Sequence, residues 1–334
     1  MRLRLALIAA ALIPGVLHGQ QAFPIQYGTP TVHGRDLALG RLVASELSRD
    51  GSVYVIDFDN AAILKFKPDG ELAWRKGRRG GGPGEFQMPY RVAVHPRGDL
   101  IAVYDIGTNA VSRFTADGEF IDRRRLPFSF RQVDGMLILE DGSTVLSGVT
   151  TYGSTARDHA VHLFDDSLRH VRSFGPLPEA EDREVLDYWG AGGISLALDG
   201  LILYTQRLPY RIYQYTSAGE LIREIVPPFR IDDRPDQAVV ITREPGRFSV
   251  RNGKPVTRPI SALQLPNGLI TSGRSKSGTD RWIDVFSARG EYVGSTRATN
   301  EWQIVFGVDP ARGVGWATGT VDDEPVLFRV PLHY

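Results

Sequence analysis

Six times along this chain a glycine-centred turn is followed by a short apolar strand and then by an aromatic residue that ends the next strand. The turns are Asp50-Gly51, Arg97-Gly98, Asp141-Gly142, Asp199-Gly200, Asn267-Gly268 and Arg312-Gly313. The matching aromatics are Phe66, Phe114, Phe164, Tyr215, Phe286 and Phe328. A unit that recurs every forty residues or more, here about forty to seventy, indicates a repeat architecture, in which each unit completes its core against its neighbours.

Each unit contains several segments of strand length. In the first unit these segments are Leu42 to Leu47, Val53 to Ile56, Ile63 to Phe66 and Glu71 to Trp74. They are rich in β-branched and aromatic residues and are bounded by Gly, Asp, Asn or Pro. Recurring four-strand units predict the blades of an all-β, six-bladed β-propeller made of four-stranded antiparallel sheets. The alternative is a β-sandwich cut into hairpins, but six comparable units in register favour a closed ring.

The second unit carries a recognisable signature. From Gly77 to Phe120 it reads GRRGGGPGEFQMPYRVAVHPRGDLIAVYDIGTNAVSRFTADGEF, which resembles an NHL repeat of the bacterial, secreted, TolB-like or NHL-like propellers. In that family the Gly-Pro-Gly-Glu-Phe segment, here Gly82 to Phe86, leads from the outer strand of one blade to the inner strand of the next. The resemblance is specific over residues 42 to 120 and weakens afterwards. It implies the six-bladed fold and no particular activity.

The sixth unit lacks one strand. Its segments Gln303 to Val308, Val314 to Ala317 and Val326 to Val330 leave the last blade incomplete before the sequence ends at Tyr334. Apolar and polar residues alternate before the first full unit, so we expect residues 23 to 34 to supply the outer strand of the last blade. Closing the ring in this way removes an open sheet edge that would otherwise pair with other molecules.

The first residues have the pattern of a targeting segment. Arg2 and Arg4 precede an apolar run from Leu5 to Val16, which predicts a signal peptide over residues 1–20 and a propeller domain over residues 21–334. Cleavage is expected between Gly19 and Ala22, and the run is too short for a stable membrane span. The chain has no cysteine, so it can carry neither a lipidated Cys nor a disulfide. We therefore expect a soluble extracytoplasmic protein, periplasmic or secreted; a buried first strand is the alternative.

Composition narrows the range of partners. The chain has 39 basic and 39 acidic residues, so no net charge attracts it to nucleic acid or to an anionic membrane. Some NHL domains bind RNA, but they do so with a dense basic surface. We expect no nucleic-acid partner and a monomeric protein.

Strand order predicts which face of the ring carries function. In an antiparallel blade the short glycine turns all lie on one face, whereas the loops between the middle strands and the crossovers between blades lie on the other. The long segments of that second face are residues 150–158, 274–281, 176–193 and 226–258. The last of these contains two apolar runs, at Val239 to Ile241 and Phe248 to Val250, and predicts an extra hairpin, with Asn252-Gly253 as its turn signal. Long loops on a rigid scaffold commonly carry function, so a ligand is expected on this loop-rich face near the central channel.

The loop-rich face is predicted to present aromatic and cationic side chains from several blades. The candidate binding residues are Tyr152, Arg157, Trp189, Arg207, Tyr210, Arg211, Arg274, Lys276, Arg281 and Trp282. Tyr, Trp and Arg dominate the energetics of interfaces. The alternative is that the aromatics pack between blades and the arginines are solvated. The interpretation is a binding or scaffold module for a protein, peptide or glycan, with no cofactor and no catalytic residue.

A metal-dependent propeller hydrolase or lyase, gluconolactonase-like with calcium or amidating-lyase-like with zinc, is the alternative function. His159, His162 and His170 come from one unit and do not form a convergent zinc set. Asp57 and Asp105 are predicted to bond nearby backbone amides and to stabilise the turn into the third strand. No serine-hydrolase, phosphate-loop or zinc-helix motif is present.

Overall fold

Each recurring unit of the sequence folds into one four-stranded antiparallel sheet. The structure is a computed structural model that describes residues 30–151, 156–277, 280–297, 304–309 and 311–331. Within these residues there are six four-stranded sheets and one two-stranded hairpin. The protein is therefore an all-β, six-bladed propeller, as predicted.

The strands follow one another around the ring in chain order. The described chain enters through β1 (Pro30–His33) and a short 3-10 helix (Arg35–Leu37). Blade 1 is β2 (Leu42–Leu47), β3 (Val53–Asp57), β4 (Ala62–Phe66) and β5 (Leu72–Lys76). Blade 2 is β6 (Pro89–Val94), β7 (Leu100–Asp105), β8 (Ala110–Thr115) and β9 (Phe120–Arg125). Blade 3 is β10 (Phe130–Ile138), β11 (Thr144–Thr150), β12 (His159–Phe164) and β13 (His170–Pro176).

The second half contains the helical and inserted segments. A 3-10 helix (Arg183–Val185) and α1 (Leu186–Trp189) precede blade 4, which is β14 (Ile194–Leu196), β15 (Ile202–Gln206), β16 (Arg211–Tyr215) and β17 (Leu221–Ile225). The insertion that follows contains α2 (Pro235–Ala238), β18 (Val239–Glu244) and β19 (Arg247–Asn252). Blade 5 is β20 (Arg258–Gln264), β21 (Ile270–Ser277), β22 (Asp280–Phe286) and β23 (Tyr292–Arg297). Blade 6 is β24 (Ile304–Asp309), β25 (Val314–Val321) and β26 (Glu324–Pro331), completed by β1.

The repeated turn and aromatic have a common structural role. The glycine of every one of the six turns has a φ between 62° and 85°, a left-handed conformation that glycine adopts without steric cost. The six aromatics are all buried, at most 5% exposed. In five blades the aromatic pairs with the first residues of the preceding strand, as Phe66 does with Val53. In blade 6 Phe328 pairs with Ala317 instead, because β26 continues beyond the aromatic to Pro331, which pairs with Val314, the first residue of β25.

The core lies between neighbouring blades. One cluster joins blades 1 and 2 through Tyr54, Ile63 and Phe114, with Phe86 of the Gly-Pro-Gly-Glu-Phe segment fully buried among them. Glu85 of the same segment accepts the Gly82 N–H at 2.9 Å, which fixes the turn that delivers Phe86. Because each blade completes the core of the next, contact of the last blade with the first buries the core that an open ring would leave exposed.

That closure uses the N-terminal strand. β1 is the outermost strand of blade 6, where Val32 pairs with Leu327 and His33 with Val326. Val32 is 5% exposed and belongs to the cluster that contains Trp316 of blade 6 and Val53 of blade 1. The predicted closing strand is confirmed over residues 30–33, while residues 23–29 and the predicted signal peptide lie outside the described residues.

Two local predictions need correction. The extra hairpin in the 226–258 insertion is present, but its turn is at Pro245-Gly246, because Asn252 still pairs with Val239. The 274–281 segment is not a long loop. β21 continues to Ser277, which pairs with Asp280, and the carboxylate of Asp284 on β22 holds Arg274 across the strands at 2.9 Å.

No helix in the described ranges has the length and apolar character that crossing a bilayer requires.

Candidate functional site

Two crossovers cover the loop-rich face above blades 3 to 5. Residues 176–193 carry α1, and residues 226–258 carry α2 and the β18–β19 hairpin. The Asp236 carboxylate accepts the backbone N–H groups of Glu181 and Asp182, both at 3.0 Å. Two hydrogen bonds from backbone amides of the first crossover to one carboxylate of the second therefore join the two crossovers, which present one continuous surface.

Ion pairs reinforce this contact. The Arg243 guanidinium of the hairpin lies 2.7 Å from both the Asp182 and the Glu184 carboxylates. Arg243, through its hydrogen bond, holds the pKa of Asp182 below its usual value. Arg234 pairs with Glu181 beside α2. All these groups are partly solvated, so their main contribution is to fix geometry rather than to add much stability.

Between the crossovers lies a cleft of about 1090 Å³, which we call the crossover cleft. Its lining residues are 177–181, 183, 186, 208–211 and 226–236. The wall contains Leu177, Leu208 and Ile231 together with five prolines, and the rim is charged with both signs. Proline has little backbone freedom to lose, so a wall of this composition is ordered before a ligand arrives.

The 226–236 side of the cleft is anchored on blade 5. The Arg274 guanidinium lies 5.0 Å from the ring centroids of both Phe229 and Trp282, and its Nε donates to the fully buried Asp284. Phe229 also packs against Tyr210, with ring centroids 6.2 Å apart. Three predicted binding residues, Arg274, Trp282 and Tyr210, thus form the support of the cleft.

The remaining predicted residues are dispersed. Lys276 pairs with Asp233 at 3.1 Å and so ties blade 5 to the insertion. Arg211 lines the cleft and pairs with Glu224 on the neighbouring strand, whereas Arg157 lies 3.5 Å from its neighbour Asp158. Arg281 lies on β22, opposite Ser275, and Tyr152 lies outside the described residues.

Arg207 and Trp189 belong to a second group, nearer the axis. Asp134 on β10, the innermost strand of blade 3, accepts Arg207 Nη2 at 2.6 Å with one oxygen. Its other oxygen accepts the backbone N–H groups of Ala191 and Gly192 at 2.6 and 3.2 Å. The chain turns there at Gly190, with φ +82°, where a β-carbon would collide with both Arg207 and Asp134. Glycine at this position lets the crossover pass directly over the ion pair.

Two more arginines lie at the same end of the innermost strands. Arg258, the first residue of β20, places its guanidinium 4.5 Å from the ring centroid of the buried Trp189. Arg91 on β6 lies over its neighbour Tyr90 and donates to the backbone oxygens of Tyr90 and Val43 at 2.7 and 3.3 Å. We call Arg91, Arg207 and Arg258, with Asp134, the channel-mouth cluster, because innermost strands line the channel of a propeller.

Positive charge exceeds negative charge in the channel-mouth cluster. Burial, and after it the neighbouring Arg207 guanidinium, lower the pKa of Arg258 to about 10, with Asp134 acting in the opposite direction. Burial also lowers the pKa of Arg91. The Nε and Nη1 of Arg207 and the Nε of Arg91 are buried and have no hydrogen-bond partner among the described residues. Only Arg207 among the three forms an ion pair within those residues.

Sequence reasoning missed Arg91, Asp134 and Arg258. Each lies on an innermost strand of a different blade, in β6, β10 and β20. The available signal was a charged residue near the loop-rich end of an inner strand, as in Tyr90-Arg91 and Arg258-Pro259. That signal becomes specific only once the blades are arranged around one axis.

Other polar clusters have structural roles. The fully buried Asp105 accepts the N–H groups of Gln87, Met88 and Thr108 at 2.6, 3.1 and 3.1 Å. Asp57 likewise accepts the Asn60 N–H at 3.2 Å, which confirms the predicted role of both residues in the turn. Within the described ranges no group of three or more His, Cys, Asp or Glu side chains could hold a metal ion.

The sequence and fold have known relatives. Residues 45–143, from β2 through β10, match the family model DUF5128, described as a six-bladed beta-propeller. The chain is similar in structure to a candidate exported protein from Bacteroides fragilis, with 13% identity, a TM-score of 0.63 and coverage of 93% of this chain and 96% of that one. A DUF4221 family member from Bacteroides vulgatus is 9% identical, with a TM-score of 0.57 and coverage of 93% and 96%.

An enzyme also has this fold. A catalytically inactive virginiamycin B lyase from Staphylococcus aureus with quinupristin is 14% identical, with a TM-score of 0.53 and coverage of 88% of this chain and 81% of that one. No curated protein sequence matches the chain. Identities this low establish the shared fold alone, and the NHL resemblance of the second blade stays a prediction. The chain is thus a six-bladed β-propeller whose first two blades and the β10 strand of the third match a known propeller family.

Proposed function

We propose that this protein is an exported, NHL-like binding propeller that captures a peptide segment of a partner protein in the crossover cleft. The observation that carries the proposal is the cleft itself, about 1090 Å³ between two crossovers that are bonded to each other. An apolar wall with a polar, charged rim is the usual anatomy of a protein interface. Export is supported by the basic and then apolar segment at residues 2–16.

The walls of the crossover cleft are held in place by side-chain contacts. This favours binding of a ligand to a preformed site over folding of the site upon binding. Arg274 between Phe229 and Trp282, and Lys276 on Asp233, hold the insertion on blade 5. Preorganised walls reduce the entropy that is lost when a ligand is bound, so more of the contact energy contributes to affinity. A peptide fits better than a glycan because both aromatics of the cleft, Tyr210 and Phe229, pack against each other rather than standing open as a platform.

The test is selection from a random peptide library, run in parallel with a glycan array, on the purified protein and two matched variants. Val226→Glu places a charge in the cleft at a residue that is 55% exposed, so folding should be preserved. Val171→Glu makes the same change at a residue that is 56% exposed on β13, outside the cleft. We expect a shared peptide motif whose affinity drops at least tenfold with Val226→Glu and is unchanged with Val171→Glu.

Two results would contradict the proposal. One is that no peptide is enriched while a glycan binds. The other is that the selected peptide binds Val226→Glu as tightly as the unmodified protein, which would place the ligand elsewhere.

A further inference from the structure

The channel-mouth cluster concentrates positive charge in a largely buried place. Three guanidiniums, those of Arg91, Arg207 and Arg258, are accompanied by one carboxylate, Asp134. The side chain of Arg207 is 10% exposed and that of Asp134 is 2% exposed. Nearby Arg131 is paired with Asp187 at 3.7 Å and adds no net charge. Three positive charges and one negative charge leave the cluster with a net charge of about +2.

Asp134 cannot neutralise this charge. Both of its oxygens are already engaged, one by Arg207 and the other by the backbone of Ala191 and Gly192. The guanidinium of Arg258 stacks on Trp189, and that of Arg91 donates only to backbone oxygens, which carry no charge. Uncompensated buried charge is costly, so proteins pair such groups or use them to bind a counter-charge.

The unpartnered donors of the cluster are of the chemical type that binds an oxyanion. Arg207 retains two buried nitrogens, Nε and Nη1, and Arg91 retains Nε without a hydrogen-bond partner among the described residues. Arginine presents its N–H groups as a planar fork that matches carboxylate and phosphate oxygens. The contact of the Arg258 guanidinium with the Trp189 ring restricts the Arg258 side chain, which reduces the entropy lost on binding.

We propose that the channel-mouth cluster is a binding site for a small dianion, a dicarboxylate or a phosphate, held by guanidiniums from three blades. Two negative charges would balance the cluster, and Arg91, Arg207 and Arg258 supply donors from blade 2, the loop after β15 in blade 4, and blade 5. This inference shares the loop-rich face with the proposed function but uses a different site. The anion site can therefore exist whether or not the crossover cleft binds peptides.

The experiment compares probes of different charge by calorimetry and thermal melting at constant ionic strength. Malonate and inorganic phosphate are the dianion probes, and acetate and chloride are the monoanion controls. We expect at least one of the two dianions to bind. Its binding should raise the melting temperature of the protein above the values measured in acetate and in chloride. Stronger binding of malonate would identify a carboxylate ligand, and stronger binding of phosphate would identify a phosphate ester.

Variants locate the effect. Arg258→Gln should weaken dianion binding about tenfold or more, because a charge-assisted hydrogen bond to the anion is lost, and Arg258 forms no ion pair among the described residues that the change would break. Arg258→Lys should give an intermediate affinity, since the charge remains but the fork does not. Arg97→Gln, on the opposite face and 64% exposed, is the matched control and should bind as the unmodified protein does.

If Arg258→Gln fails to fold, Arg91→Gln serves as the second variant. Tryptophan emission of the unmodified protein provides an independent measurement, because an anion bound beside Arg258 alters the electrostatic environment of the Trp189 ring that Arg258 contacts. The proposal is overturned if dianions stabilise the protein no more than acetate and chloride do. Equal dianion affinity in the unmodified protein and in the folded variant would also overturn it.

Discussion

At the scale of single residues, one large pKa shift belongs to a buried imidazole, that of His162. His162 is fully buried, its Nδ1 lies 2.9 Å from Ser173 Oγ, and that hydroxyl is also 2.9 Å from His170 Nε2. The rings of Phe128 and Phe130 lie 5.6 and 5.2 Å from that of His162. Burial among these rings lowers the pKa of His162 to about 3, so the imidazole is neutral in the folded protein at ordinary pH.

The low pKa of His162 predicts that the folded protein loses stability in acid. An unfolded histidine titrates near pH 6.5, so between about pH 6.5 and 3 the unfolded chain binds a proton that the folded chain does not. The contribution of His162 to stability is complete above pH 6.5 and is lost as pH falls, by roughly 1.4 kcal/mol per pH unit at most. We expect the free energy of unfolding, measured in urea, to fall more steeply from pH 6.5 to pH 5 in the native protein than in His162→Asn. Parallel pH profiles would show that another group causes the acid sensitivity.

The roles of Asp57 and Asp105 could be predicted from sequence because their partners lie close along the chain. Each bonds an amide three residues further on, at Asn60 and Thr108. The meeting of Arg91, Asp134 and Arg258 could not be predicted in this way. Their contacts depend on the angular arrangement of blades 2, 3 and 5, which no local pattern encodes.

At the scale of elements, the polar residue that ends the second strand of blades 1, 2 and 4 bonds the segment that precedes that blade: Asp57 accepts the Gly40 N–H, Asp105 those of Gln87 and Met88, and Gln206 donates to the Leu177 carbonyl oxygen. Asp105 ends β7 and accepts the N–H groups of Gln87 and Met88, the two residues that precede β6. The same side chain accepts the Thr108 N–H in the turn toward β8. One carboxylate therefore fixes the entry of the inner strand and the turn between the middle strands.

Replacing this carboxylate should destabilise the whole of blade 2. Asp105→Ala leaves three backbone N–H groups without their acceptor, and we expect a loss of about 3 kcal/mol or more in the free energy of unfolding. Asp232→Ala is the control, because that side chain is 90% exposed and should cost about 0.5 kcal/mol or less. Urea denaturation of both variants is the measurement. Equal midpoints would mean that water replaces the carboxylate without cost.

Strands were predicted correctly where a glycine turn in the sequence marks their end. They were predicted less well where a strand extends beyond the apolar pattern of its sequence. The six glycine turns and their aromatics are as expected. The extension of β21 and β22 to Ser277 and Asp280 was not expected, because Gly278 and the charged residues around it are typical of a loop. The strands persist there through the contact of Arg274 with Asp284, which is visible only in three dimensions.

At the scale of the whole molecule, the ring closes where the two ends of the described chain pair in blade 6. β1 supplies the outer strand of blade 6, and the Thr31 hydroxyl accepts the Arg329 N–H at 3.1 Å. Val32 inserts into the cluster shared by blades 6 and 1. The ring has no free edge at this junction as long as β1 remains paired.

Opening the ring should cost more than the local contacts of Val32. For Val32→Asp we expect a loss of about 3 kcal/mol or more in the free energy of unfolding, because the charge enters a buried cluster. The exposed edge of β26 should then pair between molecules, which light scattering would detect as association. Val293→Asp on β23, at a residue 48% exposed, is the matched control and should remain monomeric and stable. Identical behaviour of the two variants would mean that the ring does not need the pairing of β1 with β26.

The order of synthesis has a consequence for how such a ring is made. The hydroxyl of Thr31 meets an amide 298 positions later, so the earliest strand emerges from the ribosome long before its partner exists. Contacts this distant along a chain form slowly. A nascent polypeptide of this kind therefore holds an unfinished toroid until its final blade is translated.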